Sequence, residues 1–432
     1  MSSQLDLSVE SAADPLADTL VDTPAPALRP AFQTGRQLDV YRAGPRTGPS
    51  AIPVQVEELA AKARRLLTPE AWEWIAGGAG RGDTVRTNRD AFAKWQIVPR
   101  MLCDIDRRDF SVELFGRRHP WPVLLAPVGV QGLLHPDGEK ASATAAAELG
   151  LPCVLSTVAS NSLEDVAEAA GPGPRWFQLY WSRDREITRS MLGRAERAGY
   201  EAVVVTLDTP ILGWRERNLD HGSLPFLHGE GLANYTSDPA FVAGLPGGRV
   251  DDRAAVVEHY LRVFSNPGRT WADLSEIRAA TRLPVLVKGI QSPDDGWKAV
   301  QAGVDGIVVS NHGGRQVDGG IATLDCLPGV VRTVGGVVPV LFDSGIRRGA
   351  DAFKALALGA TAVLVGRPYL WALAVGGAAG VREFLLNFLA DLDLTLGLAG
   401  KRRLAEVYRD DLALAGMMGP DLGTDRWAIA AE

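Results

Sequence analysis

Eight short, largely apolar runs recur along the chain, and most are followed by a stretch with helical spacing. The runs are Val123–Ala126, Cys153–Leu155, Trp176–Leu179, Ala202–Leu207, Val285–Val287, Gly306–Val309, Val338–Phe342 and Ala362–Val365. Helix-like stretches lie between or after them, at Glu139–Leu149, Leu163–Ala170, Asp184–Ala198, Asp294–Ala302, Ala350–Leu358 and Val381–Leu396. A run that is apolar on every residue, not on alternate ones, reads as a parallel strand buried on both faces. Strands alternating with amphipathic helices imply βαβ units. Eight such units over roughly 250 residues match a TIM (β/α)8 barrel. An open doubly wound sheet is the alternative; the count of eight favours closure.

The barrel then occupies residues 121–412, with a long insertion over 210–271 after the fourth strand. An insertion of that length reads as a lid or binding loop, and it carries Trp214, Arg215, Arg217, His221 and His228. Residues 51–120 read as a helical and hairpin lead-in. Val56, Leu59, Ala60, Ala63, Leu66 and Leu67 fall at helical spacing, and Thr68-Pro69-Glu70 has the order of an N-cap, a first-turn proline and an early acid. That second helix ends at Gly77-Gly78-Ala79-Gly80, which reads as a C-cap in preference to a backbone approach to a ligand. Residues 1–50 read as a largely disordered extension rich in Pro, Ala, Asp, Ser and Thr. Within it Phe32, Leu38, Val40 and Tyr41 either dock on the body or hang free. Residues 413–432 read as a tail.

Charge and cysteine usage exclude several classes. A net charge of −7 gives no basic footprint for a nucleic acid. Cys103, Cys153 and Cys326 form neither a CxxC pair nor a disulfide framework, so no metal site is expected and a reducing compartment fits. The first ten residues lack a secretion pattern, and no uninterrupted apolar stretch reads as a bilayer span. A cytoplasmic protein without a membrane partner is the expectation.

In a TIM barrel the chemistry sits at the carboxyl ends of the strands. Read in order, those ends are Ala126-Pro127-Val128-Gly129, Ser156-Thr157, Gln178 with Tyr180, Thr206 with Asp208, Lys288-Gly289, Ser310-Asn311-His312-Gly313-Gly314-Arg315-Gln316, Asp343-Ser344-Gly345-Ile346-Arg347 and Gly366-Arg367-Pro368. All but the first end in hydrogen-bonding or charged groups. His312 takes a proton near neutral pH, and Arg315 offers a planar fork that matches a carboxylate. Asp208 orients His312 if the two tips meet. The glycines and arginines of the seventh and eighth tips suit a phosphate. Together these suggest acid–base chemistry on a small anionic substrate.

The same motifs, with Phe177-Gln178-Leu179-Tyr180 and Thr206-Leu207-Asp208-Thr209-Pro210, resemble the FMN-dependent α-hydroxy-acid oxidase/dehydrogenase family over roughly residues 52–412. Within it, Leu212-Gly213-Trp214-Arg215-Glu216-Arg217 and Asn234-Tyr235-Thr236-Ser237-Asp238-Pro239 resemble the lactate 2-monooxygenase branch most. The residue types agree with a flavin: Gln178, Thr206, Ser156 and Lys288 suit its pyrimidine edge and the charge near N1, and no GxGxxG opens a strand–helix turn for NAD. The resemblance implies His312 as base, paired with Asp208. It implies Arg315, Arg215 and Tyr180 on the substrate, and Ser156, Gln178, Thr206, Lys288 and Ser310 on the isoalloxazine. Asp343, Gly345, Arg347, Gly366 and Arg367 would hold ribityl and phosphate, with Pro127, Val128 and Gly129 against the ring. It implies a small 2-hydroxy acid and dioxygen as partners, and a homotetramer. The activity implied is lactate to acetate, CO2 and water. The alternatives are an oxidase releasing the 2-oxo acid and hydrogen peroxide, or a flavin enzyme acting on a larger metabolite or peptide. One position departs from the family: Trp74 stands where a substrate-binding Tyr is usual. An indole N–H still donates, but from elsewhere. With Val158 in place of a bulky aromatic, this implies a shifted substrate range.

Overall fold

The computed structural model describes residues 32–45 and 51–416. Eight parallel strands close into a barrel: β1 Val123–Leu125, β2 Cys153–Ser156, β3 Arg175–Tyr180, β4 Val203–Thr206, β5 Val285–Ile290, β6 Gly306–Val309, β7 Val340–Phe342 and β8 Ala362–Val365. The ring closes where Val363, Leu364 and Val365 of β8 pair with Val123, Leu124 and Leu125 of β1.

Two cores follow from the pleat, because successive side chains of a strand point to opposite faces. One lies between strands and helices and includes Val123, Leu125, Val203, Val205, Val285 and Val287. The other is separate and smaller: Leu124, Val154, Trp176, Val204, Leu286, Val308, Leu341 and Leu364, with Leu114 and the partly buried Phe115. These fill the barrel's interior. Leu114 and Phe115 come from the hairpin that pairs Val112–Leu114 with Arg117–His119. The Phe115 ring meets the Trp176 ring at 5.5 Å and plugs the interior from the amino-terminal side.

The lead-in is helical as its spacing predicts, with helices Val56–Leu66, Pro69–Ala76 and Asp83–Ala93. The hydroxyl of Thr68 accepts from the Ala71 N–H at 3.3 Å, ahead of Pro69 at the first helical position. The strand Trp95–Ile97 pairs antiparallel with Leu412–Leu414, so the start of the expected tail is part of the body. A helix, Phe32–Arg42, lies in the segment read as disordered. Polar contacts anchor it: Arg36 bonds Asn387 and pairs with Glu383. Leu38 and Tyr41, for which the sequence leaves docking and hanging free both open, are exposed. Residues 1–31, 46–50 and 417–432 lie outside the described residues, and with them the rest of the expectations for the two ends.

The insertion after β4 is not a bare loop. It holds helices Glu216–Asp220, Ala233–Thr236, Pro239–Ala243 and Arg253–Val263, around buried Tyr235, Phe241 and Tyr260. Arg194 anchors it from the barrel side, paired with Asp238 at 3.1 Å and Glu164 at 2.7 Å. Most of these helices are too short to show a periodic pattern. The last helix, Arg367–Leu398, is long and apolar enough for a bilayer span. It kinks at Gly376-Gly377, and its apolar residues, among them Leu370, Val381, Leu385 and Leu389, are core.

Candidate active site

Two residues beyond each inward-pointing core residue, the pleat brings the chain back to the barrel's inside. From Leu124, Val154, Trp176, Val204, Leu286, Val308, Leu341 and Leu364 this step reaches Ala126, Ser156, Gln178, Thr206, Lys288, Ser310, Asp343 and Gly366. Six of these eight carry polar or charged side chains. The register agrees: Ser156 pairs with Gln178, Tyr180 with Thr206 and Thr206 with Lys288. A polar layer therefore lies on top of an apolar one, at the carboxyl end of the barrel. Above it is a cleft of about 120 Å³, lined among others by Trp74, Pro127, Val128, Gly129, Val158, Tyr180, Lys288, His312, Arg315, Asp343, Gly345, Arg347, Gly366 and Arg367.

The sixth tip presents the proton-accepting group. His312 has φ +58, a left-handed backbone that a non-glycine residue adopts only when its surroundings enforce it. Those surroundings are explicit. The His312 N–H donates to the Ser310 hydroxyl at 3.1 Å, and the Gly313 N–H donates to the Ser344 hydroxyl at 3.0 Å. Asn311 exchanges two 2.8 Å amide bonds with Asn88 of helix Asp83–Ala93. Thus turned, His312 places Nδ1 at 2.7 Å from Asp208 Oδ1. The carboxylate accepts, so Nδ1 carries the hydrogen and Nε2 keeps its lone pair. The expected meeting of the fourth and sixth tips takes place. Burial lowers the His312 pKa below its ordinary value and the Lys288 charge adds to this, against the pull of Asp208. Burial alone would raise Asp208; Lys288, at 3.6 Å, and His312 outweigh it and hold the carboxyl well below the usual range. Lys288 also lies 3.7 Å from Asp343. Burial opposes its charge, yet the two carboxylates raise its pKa. Gly289 has φ +109, and a Cβ there would lie 2.7 Å from that of Asp208, so the bulge after Lys288 makes room for the acid.

Four guanidinium groups converge on the cleft and find only neutral acceptors among the described residues. Arg315 donates to the Gly77 carbonyl at 3.0 Å, and Arg367 to the carbonyls of Ile75, Gly313 and Gly77 at 2.8–2.9 Å. Arg215 donates to Arg315 O and Gln316 Oε1, and Arg347 to Ile346 O. Burial lowers all four, and repulsion from neighbouring guanidinium groups adds to it at Arg315, Arg347 and Arg367: Arg315 falls well below its ordinary value, Arg347 to about 9 and Arg367 to about 10. With Lys288, five cations face two carboxylates, Asp208 and Asp343. The excess of three matches a phosphate of about −2 and a carboxylate of −1. A second unmet demand sits in the polar layer. Gln178 Oε1 accepts from Ser156 Oγ and the Thr157 N–H, while its Nε2 is buried without a partner. Beside Ser156, a Cβ at Gly129 would lie 2.1 Å from the Val158 carbonyl oxygen, so only glycine lets the Pro127–Gly129 strap lie there.

Several residues sit differently from the expectation. The indole N–H of Trp74 donates to the Gly129 carbonyl at 3.2 Å and is not free for a ligand. Its ring instead lies under Arg315 and Arg215, with guanidinium carbons 5.2 and 5.9 Å from its centroid, a cation–π arrangement. Thr206 lines a second cavity and not the cleft. Ser156, Gln178 and Ser310 lie buried beneath the cleft's lining. Gly77-Gly78-Ala79-Gly80 is both cap and contact: Gly77 caps the helix, the Ala79 N–H donates to Gly314 O at 2.9 Å, and the Gly80 N–H donates to Trp214 O at 2.7 Å. His221 and His228 do not reach the cleft. Thr209, which donates to Asp208 Oδ1 at 2.9 Å, and Gln316, which donates to Asp208 O at 2.7 Å and Ile211 O at 3.0 Å, had no assigned role from sequence. Phe226 and Phe264, from the insertion, complete the apolar wall.

A model of the family described as FMN-dependent dehydrogenase matches residues 63–414. L-lactate oxidase of Lysinibacillus sphaericus is 44% identical over 354 residues, covering 82% of this chain and 91% of that protein. FMN-dependent alpha-hydroxy acid dehydrogenase qulF of Penicillium citrinum is 46% identical over 351 residues, covering 81% and 87%. The crystal structure of mandelate oxidase with (S)-4-hydroxymandelic acid superposes with a TM-score of 0.75 at 41% identity, covering 84% of this chain and 98% of that one.

Proposed function

The chain belongs to the FMN-dependent dehydrogenase family and catalyses FMN-dependent oxidation of a 2-hydroxy acid; we propose that His312 is its base and that the barrel's polar layer is its flavin seat. The residues fit the cofactor. The lone Gln178 Nε2 and the cation excess are the demands a flavin ring and its phosphate meet. Pro127, Val128 and Gly129 would lie against the ring; Ser156, Gln178, Lys288 and Ser310 would bond its edge, with Thr206 beside them. Asp343, Gly345, Arg347, Gly366 and Arg367 would hold ribityl and phosphate. When bound, FMN supplies the two-electron acceptor, and dioxygen reoxidises it.

The chain's own residues do the rest. Arg315 and Arg215, stacked over Trp74, hold the substrate carboxylate. Tyr180 donates to the substrate oxygen; burial, then Asp208, raises its pKa, so it stays a phenol. His312 Nε2 takes the hydroxyl proton as the C2 hydrogen leaves with its electron pair, and Asp208 stabilises the imidazolium. The single observation that carries this reading is the 2.7 Å His312–Asp208 bond, held by a strained turn beside unpaired cations.

For the fate of the product, we propose the lactate 2-monooxygenase outcome. The oxo acid stays until hydrogen peroxide cleaves it, giving the acid one carbon shorter, CO2 and water. Support comes from how the insertion is fastened over the cleft, by Gly80 to Trp214 and by Gln316 to Ile211. The second reading, an oxidase releasing peroxide, is favoured by the L-lactate oxidase relative. CO2 and H2O2 measured per O2 consumed separate them: one CO2 and no free peroxide supports retention, and stoichiometric peroxide with intact 2-oxo acid refutes it.

A further inference from the structure

Behind the cleft lies a second cavity of about 320 Å³, open to the surface and walled by the ends of β4 and β5 and by the segment 264–271. Tyr180, Thr209 and Phe264 line both spaces. Resting on the hydroxy-acid reading above, we infer that this cavity receives the substrate's side group, and that the preferred acid carries an uncharged aryl or medium-length alkyl group in place of methyl.

Assigning the polar ends of the substrate leaves only its side group to be placed. His312 and Tyr180 address the hydroxyl, and Arg315 and Arg215 the carboxylate. The remaining walls are Val158, Phe226 and Phe264, all apolar. Phe264 stands edge-on to Tyr180 with centroids 5.2 Å apart, at the end of helix Arg253–Val263. The partition between the two spaces is therefore made of side chains. A rotation of Phe264, whose ring packs on Tyr180, Phe226 and Tyr260 with centroids 5.0–6.1 Å apart, would join them.

The second cavity's chemistry then selects the group. Its charged residues already have partners: Arg269 pairs with Glu276 at 2.8 Å and stacks on Trp181 at 4.6 Å, and Asp295 pairs with Lys298 at 3.2 Å. Arg269 Nε is buried without a partner and offers one N–H donor, but the guanidinium charge is already met by Glu276 and Asp273, so a charged side group would find no free counter-ion there. The rings of Trp181 and Trp271 and the side chains of Leu207 and Leu274 offer apolar surface. An apolar cavity of about 150 Å³ holds benzene, so this one has room for a phenyl group and its linker. Each methylene buried is worth about a fourfold gain in binding.

The test is kcat/KM for lactate, 2-hydroxyhexanoate, 2-hydroxyoctanoate and 3-phenyllactate, in the native enzyme and in Ser265→Trp and Trp271→Ala. Ser265 lines the second cavity only, so Trp there fills it. The expected result is a rise of at least tenfold from lactate to 2-hydroxyoctanoate in the native enzyme. Ser265→Trp then loses at least tenfold on 2-hydroxyoctanoate and 3-phenyllactate, stays within twofold on lactate, and keeps its FMN absorbance. Trp271→Ala shifts the preference towards the longer acids. Rates that do not depend on side-group length, or losses of equal size on all four acids, overturn the assignment of the cavity alone, since lactate turnover then still stands. Absence of flavin bleaching by every acid overturns the hydroxy-acid reading on which it rests.

Discussion

Replacing Asp208 by Asn removes a charge while keeping the shape, and the structure sets the size of the effect. The carboxylate accepts from His312 Nδ1 at 2.7 Å and from Thr209 at 2.9 Å, and it lies 3.6 Å from Lys288. A hydrogen bond to a charged group is worth about 1.5–3 kcal/mol, and more where burial keeps water away. Loss of that stabilisation from the protonated imidazole slows proton removal by roughly 10- to 150-fold. A second loss adds to this. An Asn amide that turns its N–H₂ towards Nδ1 forces the imidazole hydrogen onto Nε2, the nitrogen that must accept, and a wrong tautomer of this kind costs about 10⁴ where it has been measured in a serine protease. The expected fall in the rate of anaerobic flavin bleaching is therefore between about 10²- and 10⁴-fold, with FMN content and substrate affinity within a fewfold of native. The assay is stopped-flow absorbance under anaerobic conditions, which isolates the chemical step. Bleaching within threefold of native, with the flavin still bound, would refute the pairing as the device that tunes the base.

The same geometry makes other measurable claims. Because the neutral imidazole is the base and its pKa is lowered by burial and by Lys288, kcat/KM should be level through neutral pH and fall only below the ordinary histidine value of about 6.5; Lys288→Met removes the opposing charge and should move that acid limb upward. Arg315→Met should raise KM by roughly 10- to 150-fold with the FMN spectrum intact, the worth of a charge-assisted bond of about 1.5–3 kcal/mol. Trp74→Phe keeps a ring under the two guanidinium groups and should leave KM within about threefold, whereas Trp74→Leu removes the cation–π support and should raise it further. Away from the site, Arg194→Met strands the fully buried Asp238 and should destabilise the fold by about 3–5 kcal/mol, read as faster thermal inactivation.

How far the sequence reveals this arrangement depends on the residue. The eight strands were legible because a strand buried on both faces is apolar throughout, and the observed bounds differ by only a few residues from the apolar runs. That same property hid which side of each strand faces the barrel's axis, since no polar residue alternates with the apolar ones. Direction becomes visible only through the register, which sets Ser156 beside Gln178 and Thr206 beside Lys288. The step of two from Trp176 to Gln178, or from Leu286 to Lys288, was nevertheless present to be read. The catalytic tip was legible in Ser310-Asn311-His312-Gly313-Gly314-Arg315-Gln316 because its residue types are chemically distinctive. Its supports were not: Asn88, Thr209 and Ser344 are common polar residues whose roles depend on contacts across more than thirty, and in one case more than two hundred, positions. The commitment of the Trp74 N–H to Gly129 is likewise a tertiary fact. In the insertion, Tyr235, Phe241 and Tyr260 form a small aromatic core on helices too brief for periodicity to register.

The inward residues of eight strand ends hold one FMN, and the imidazole of His312 starts the chemistry on it. Asn tolerates the left-handed backbone at that position better than most residues, which makes His312→Asn the cleanest removal of the base. Native and variant proteins should both purify yellow with one FMN per chain. Under anaerobic conditions a 2-hydroxy acid should bleach the native flavin, and the variant should bleach at least 10³-fold more slowly. A variant that bleaches at the native rate, or a native protein that binds no FMN, would contradict it.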